Sequence, residues 1–153
     1  MFKLIVPFRM HSTGWILVAF CVLIGMKLGG WRLALPLAIA MVVSLLLHEV
    51  GHILVAAMLR VPVHEFGLKL VGAYNRRSRA TRRRDEILIS LAGPLMNLCL
   101  VIPALFIPHV GAQIALCNLV LCAINLLPIP SSDGMRIMKL LWSFLPVQTA
   151  TAS

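Results

Sequence analysis

The stretch SLLLHEVGHILVAAM, residues 44–58, carries three ionisable side chains inside an otherwise apolar run. His48, Glu49 and His52 fall within a segment, 33–59, that is long and apolar enough to be predicted as a membrane span. A charged residue at the centre of such a helix costs about 2.5–3.5 kcal/mol on insertion scales. The span is therefore expected to be marginal unless a bound group compensates for these side chains.

A metal ion would provide that compensation. His48 and His52 stand at positions i and i+4, so they lie on one helix face and both imidazoles can reach a single Zn²⁺. Glu49 is placed to approach a water molecule at the metal, which is the arrangement of the H-E-x-x-H motif. Ionisable residues within spans are functional by default, so a chance motif in a structural helix is the disfavoured alternative.

Two histidines leave such a site short of a third protein ligand. Asp133 follows an apolar run in NLLPIPSSDG, residues 125–134, in which Pro128 and Pro130 stop a helix. Non-helical backbone at membrane depth is tolerated where it lines a cavity, so this segment can carry Asp133 to the metal. Asp133 would serve equally well as the N-cap of a helix that begins at Met135. Both alternatives remain open at this point.

The whole chain has the composition of a membrane protein. Of its 153 residues, 60% are hydrophobic and 12% are charged, and its mean hydropathy is +0.95. An ordinary soluble domain carries about 25% charged residues. The formal net charge of +9 is interpreted as positive charge in cytoplasmic loops that lie beside anionic lipid headgroups. No nucleic-acid partner is therefore expected. The length suits one domain with about four helical spans.

Apolar runs predict spans at 14–28, 33–59, 87–107 and 112–127. Residues 61–74 have the β-branched and aromatic character of a short membrane-associated β-hairpin, and residues 75–86 form a charged loop with six arginines. An interfacial amphipathic helix is expected at 135–145. The predicted class is an all-α polytopic membrane protein with one membrane-embedded metalloprotease domain at 1–145 and a disordered tail at 146–153.

The arginines of 75–86 set the predicted orientation, because cytoplasmic loops collect positive charge. With that loop in the cytoplasm, the N-terminus with Lys3 and Arg9 is cytoplasmic too, whereas Lys27 and Arg32 fall outside. We expect a bacterial cytoplasmic membrane protein with its active site toward the cytoplasmic side. The arginine cluster is interpreted as a topology signal and a lipid-headgroup contact, and docking of an acidic substrate tail is an open alternative.

Three sequence blocks in order resemble the site-2 protease family of intramembrane zinc metalloproteases, and its compact sporulation-factor-like branch in particular. The blocks are HEVGH at 48–52, SLAGPLMN at 90–97 and NLLPIPSSDG at 125–134. The sequence departs from the family pattern at Ser132, where leucine is usual, and at Met135, where a second glycine is common. The first departure affects the expected local packing and not the identity of the ligand.

This resemblance implies cleavage of membrane-spanning or membrane-associated protein substrates within the lipid bilayer. It implies one Zn²⁺ per chain, with His48, His52 and Asp133 as its ligands. It also implies that Glu49 is the general base. Asn125 would assist at the scissile peptide, while Gly93 and Asn97 would shape the substrate cleft or, alternatively, serve helix packing. Two other functions stay open: a protease whose third ligand is Glu65 or Glu86, and a zinc-stabilised non-catalytic scaffold or pseudoprotease that binds partner helices. No oligomeric state is assigned.

Overall fold

The protein is a helical structure with one small sheet, seen in a computed structural model that describes residues 6–70 and 72–143. In chain order its elements are β1 (Phe8–Met10), α1 (Gly14–Met58), β2 (Val63–Lys69), β3 (Gly72–Arg77), α2 (Arg83–Leu105), α3 (Gly111–Leu126) and α4 (Asp133–Trp142). The predicted mainly helical class is confirmed. The predicted tail at 146–153 lies outside the described residues.

Helix α1 consists of two apolar helices joined at Gly30, whose backbone is non-helical with φ 66° and ψ −178°. Glycine adopts a positive φ without steric cost, so Gly30 permits the break. The two arms fold back on each other, because a Cβ placed on Gly25 would lie 2.6 Å from the carbonyl oxygen of Ala34. An unbroken helix would separate these two residues by about 13 Å. A turn between the first two predicted spans is therefore confirmed.

Length and composition qualify α1 and α2 as helices able to cross a membrane. Helix α3 is also apolar, but its 16 residues extend only about 24 Å, which is less than the ~30 Å of a hydrocarbon core. The total of four spans stays a prediction.

Large apolar side chains cover the outside of the molecule and polar side chains lie inside it. Trp31, Met58 and Phe106 are 77%, 81% and 83% exposed. The buried polar and charged residues are Ser44, His48, Glu49, His52, Glu86, Ser90, Asn97, Asn118 and Asp133. A soluble protein rarely exposes apolar surface on this scale, whereas polar groups of a membrane protein face the bundle interior. The distribution is that of a protein surrounded by lipid.

A three-stranded sheet in the order β1–β2–β3 contacts α1. Strands β2 and β3 are antiparallel, which confirms the hairpin predicted at 61–74. The predicted charged loop at 75–86 is wrong in its bounds, because β3 takes its first residues and α2 takes its last, leaving a connection of only 78–82. Strand β1 was not predicted. It pairs in parallel with β2, with Phe8 opposite Phe66.

A buried ion pair fastens β3 to α2. The two terminal nitrogens of Arg77 donate to the two carboxylate oxygens of Glu86 at 2.9 and 2.7 Å, and the side chains are 6% and 8% exposed. The backbone N–H of Ala80 donates to the same carboxylate at 3.0 Å. Removing one member of such a pair would leave an uncompensated buried charge. The pair therefore holds the hairpin against the helices.

Helix α4 begins at Asp133, two residues before the predicted range of 135–145. Its N-cap is Ser132, whose Oγ accepts a hydrogen bond from the N–H of Met135 at 3.0 Å. The same hydroxyl donates to the carbonyl of Leu127 at 2.6 Å. Because serine satisfies the helix terminus, Asp133 is not the N-cap, and its carboxylate is available for other contacts.

Candidate metal centre

His48 and His52 lie one turn apart on α1 with their imidazoles turned toward a common point. They are 5% and 2% exposed, and their Nε2 atoms are 3.1 Å apart. The i, i+4 spacing on a helix places them on one face, as the sequence predicted. Two ring nitrogens at this distance, buried together, are stabilised by a shared proton or by a cation between them.

Asp133 completes a triangle with the two imidazoles. Its Oδ2 lies 3.1 Å from Nε2 of His48 and 3.2 Å from Nε2 of His52, and the residue is 7% exposed. The chain reaches this position because α3 ends before Pro128 and Pro130, after which the backbone turns and α4 starts. The prolines thus place a carboxylate from the far end of the chain against α1.

Glu49 lies beside this triangle and is 8% exposed. The side-chain amide of Asn75, on β3, donates a hydrogen bond to Oε2 of Glu49. The hairpin therefore reaches over α1 and holds this carboxylate. Asn75 is a site residue that sequence reasoning missed. It belongs to the stretch interpreted as a charged loop, and the sequence carries no signal for a contact that depends on strand register.

Two different sets of three side chains could provide the ligands of a metal at this centre. Ligand atoms of His48, Glu49 and His52 lie within 4.8 Å of one another, whereas the two Nε2 atoms and Oδ2 of Asp133 lie within 3.2 Å. A tetrahedral zinc ion with bonds of about 2.0–2.1 Å separates its ligand atoms by roughly 3.3–3.4 Å. The tighter set, with Asp133, matches that separation. Two imidazoles and a carboxylate are also a donor set that catalytic zinc takes, so these residues fit the metal.

A sequence model of peptidase family M50 matches residues 36–112, just over half of the chain. This chain belongs to peptidase family M50. The matched range contains His48, Glu49 and His52 and ends before Asp133. The position of Asp133 beside the histidines is therefore an observation of the structure and not of the family match.

This M50 peptidase chain is similar to proteins of Methanocaldococcus jannaschii. It is 27% identical over 158 residues to a zinc metalloprotease, an alignment that covers 94% of this chain and 45% of the relative. A solved structure of a site-2 protease matches with a TM-score of 0.74 at 26% identity, covering 94% of this chain and 71% of that one. The chain thus spans about half the length of the curated relative. The resemblance to site-2 proteases is confirmed.

Within this M50 centre, the far nitrogens of both imidazoles have partners on α2. Nδ1 of His52 donates to the carbonyl of Ile89 at 2.6 Å, which leaves its Nε2 lone pair facing the centre. Nδ1 of His48 lies 3.3 Å from the side-chain amide of Asn97. If His48 presents its Nε2 lone pair in the same way, its Nδ1 carries the proton. The Asn97 amide must then accept the hydrogen bond from this N–H through its oxygen. Metal-binding histidines almost always have such a partner.

The side-chain amide of Asn97 can take the orientation that this arrangement requires. Asn97 is 0% exposed, and with its amide as oriented, Oδ1 has no partner among the described residues. The oxygen and nitrogen of an amide are assigned from their hydrogen bonds, and the opposite orientation turns Oδ1 toward Nδ1 of His48. In that orientation Oδ1 accepts a hydrogen bond from the N–H at Nδ1 of His48, which fixes the tautomer of His48, and the amide nitrogen takes the position of the unpaired oxygen. The contact is more specific than the predicted cleft-shaping role.

Gly93 lets the backbone of α2 approach the two imidazoles. A Cβ on Gly93 would lie 2.5 Å from Cε1 of His52 and 2.6 Å from Nε2 of His48. Real Cβ atoms do not approach other atoms this closely, so any side chain at this position would enter the centre. The predicted alternatives for Gly93, cleft shape and helix packing, stay predictions.

Three other residues considered from the sequence have hydrogen-bond or ion-pair partners that do not belong to the metal centre. Asn125 is partly buried on α3 and donates to the carbonyl of Leu121, one turn back, at 2.9 Å. Its role at the scissile peptide stays a prediction. Glu65 pairs with Arg9 at 3.4 Å, and Glu86 forms the buried ion pair that anchors β3. Neither glutamate reaches the centre, which disfavours both as third ligands.

Proposed function

We propose that this chain is an integral-membrane zinc metalloprotease that hydrolyses peptide bonds of membrane-spanning or membrane-associated proteins, as in regulated intramembrane proteolysis. One observation carries the proposal: His48, His52 and Asp133 converge within 3.2 Å, with Glu49 beside them, inside a protein whose exterior is apolar. Membership of family M50 supports the metalloprotease class.

His48, His52 and Asp133 would hold one Zn²⁺ per chain. Three protein ligands leave the fourth tetrahedral position for water or substrate, which is typical of catalytic rather than structural zinc sites. When bound, zinc lowers the pKa of water to about 7 and polarises the scissile carbonyl. The partners on α2, the Ile89 carbonyl and Asn97, keep both rings turned so that Nε2 is the ligand atom.

Glu49 acts as the general base. It takes a proton from the attacking water and passes it to the leaving nitrogen of the scissile peptide. Asn75 donates to one carboxylate oxygen of Glu49, so the second oxygen remains available for the proton. A carboxylate held in this way is already oriented when the substrate arrives, and orientation is a large part of catalytic rate.

A substrate that crosses the membrane as a helix must unwind at the cleavage position, because helical carbonyls are engaged in hydrogen bonds along the chain. The basic connection 78–82 and helix α4 carry the positive charge that favours the cytoplasmic side. Since Asp133 is the first residue of α4, the proposed centre lies toward that side, where water can enter.

Co-expression with single-span membrane proteins tests the proposal. Wild type should cleave a substrate that the Glu49→Gln variant leaves intact, while both purified proteins retain one zinc per chain. Glu65→Gln is the matched control, since it removes the same charge from β2, away from the centre, and should cleave like wild type. Continued cleavage by Glu49→Gln would exclude Glu49 as the base. Stoichiometric zinc with no cleavage of any membrane protein by wild type would favour the non-catalytic scaffold.

A further inference from the structure

A cavity of about 750 Å³ opens between β3, the start of α2 and α4. Its wall is dominated by basic side chains, namely Lys69, Arg76, Arg77, Arg79, Arg83, Arg136 and Lys139. The acidic residue in the wall, Glu86, is paired with Arg77 in the buried ion pair. Arg76, Arg79 and Lys139 are exposed. The cavity therefore presents a positive surface that suits an anionic occupant.

This cavity, hereafter the basic cavity, adjoins the metal centre on two sides. Asn75 lines it and donates to Glu49. Arg136 also lines it, and its Nη1 lies 3.8 Å from Oδ1 of Asp133. An occupant of the basic cavity would thus contact residues that touch both the proposed base and a proposed zinc ligand. The residues that flank a scissile bond at the centre would therefore be within reach of this cavity.

We propose that the basic cavity binds an acidic segment that flanks the scissile bond in the protein substrate. The inference rests on the proposed function and specifies its substrate class. Ion pairs with Arg79 and Lys139 would hold the segment, and they act at a rim where solvent screens them, so each contributes modestly. Together they would select substrates with Asp or Glu beside the cleavage position and fix the register of the unwound chain.

A peptide fits this cavity better than two other anionic occupants. An anionic lipid headgroup would match the charge of the cavity but not its position, since Asn75 and Arg136 join the cavity to Glu49 and Asp133, where the proposed substrate is a peptide chain. Residues 144–153 of the chain itself contain no Asp or Glu, so they do not offer the side-chain charge that the wall matches. An acidic peptide that is continuous with the scissile bond matches both the charge and the position of the cavity.

Fluorescence anisotropy with purified full-length Glu49→Gln protein, loaded with zinc in an uncharged detergent, measures the binding without cleavage. The probes are a short fluorescein-labelled peptide rich in Asp and Glu and an otherwise identical peptide with Asn and Gln. The acidic peptide should bind, and added salt should weaken the binding. The combined change Arg79→Gln and Lys139→Gln should weaken it about tenfold, which corresponds to about 1.4 kcal/mol. The neutral peptide should have the same affinity for the protein with and without these two changes.

The matched control is Arg82→Gln combined with Arg84→Gln, which removes the same amount of charge close to Arg79 in the chain but outside the cavity wall. An equal loss in the control would overturn the proposal, because it would show a diffuse charge effect. Displacement of the peptide by phosphatidylglycerol, but not by phosphatidylcholine, would overturn it in favour of a lipid site. If the acidic peptide binds as expected but wild type cleaves no protein, the proposed function is refuted. The cavity would then be only a binding site for acidic peptides.

Discussion

Replacing Gly93 by alanine tests whether the space between the imidazoles is a metal position. By helix propensity alone, a Gly→Ala change within a helix stabilises a protein by about 1 kcal/mol. Here the new methyl group would lie 2.5 Å from Cε1 of His52 and 2.6 Å from Nε2 of His48, between the rings that would hold the metal. The structure therefore predicts loss of zinc and not a gain in stability.

The expected loss of zinc affinity can be calculated from the displacement of the imidazoles by the new methyl group. Overpacking of this kind costs about 1–3 kcal/mol. Turning His52 away also breaks its 2.6 Å hydrogen bond to the carbonyl of Ile89, a net loss of about 0.5–1.5 kcal/mol. The sum, about 1.5–4.5 kcal/mol, corresponds to zinc affinity weakened roughly tenfold to a thousandfold.

Competition with a chromogenic chelator gives the zinc affinity, and metal analysis of purified protein gives the stoichiometry. Gly51→Ala is the comparison variant: its Cβ would lie 2.6 Å from the carbonyl oxygen of Ala92, which crowds the same helix pair without entering the space between the rings. We expect it to lose stability with a much smaller effect on zinc. A Gly93→Ala protein that binds one zinc as tightly as wild type would refute the assignment of this space to the metal.

Four further changes have defined outcomes. Asn97→Ala should weaken zinc binding about 10–100-fold in the chelator assay, because His48 loses the partner of its Nδ1. Asn75→Ala should lower the cleavage rate about tenfold with zinc content unchanged, since it frees the Glu49 carboxylate. Glu86→Gln should lower stability in detergent by about 3–5 kcal/mol, whereas the same change at Glu65, whose arginine partner is 69% exposed, should fall within about 0.5 kcal/mol. Ser132→Ala should cost about 1 kcal/mol through loss of the α4 cap.

The histidine pair was predictable because it depends only on helical periodicity. His48 and His52 share a face of any helix, and their burial follows from the apolar run around them. The hairpin was predictable for a similar local reason, since β-branched and aromatic residues favour strands. The turn between the first two helical arms is also local, because Gly30 permits the positive φ that it requires. In each case the deciding information lies within a few residues of the element.

The remaining features depend on contacts between distant segments. Whether Asp133 is a cap or a ligand could not be decided from its neighbours, and the structure excludes the first alternative by giving the cap to Ser132. The contact of Asn75 with Glu49 depends on how the hairpin is placed over α1, and strand β1 exists because it pairs with β2. Asn97 shows the same limit, since its amide meets His48 only after α1 and α2 have packed.

The central claim is that two histidines and one aspartate hold a zinc ion, and X-ray absorption at the zinc edge tests it most directly. Natively folded wild-type protein should contain one zinc per chain, with two imidazole nitrogens and oxygen donors at about 2.0–2.2 Å. Asp133→Ala should lose an oxygen donor and bind zinc more weakly. A protein without stoichiometric zinc, or a metal bound through cysteine sulfur or a single imidazole, would contradict the account.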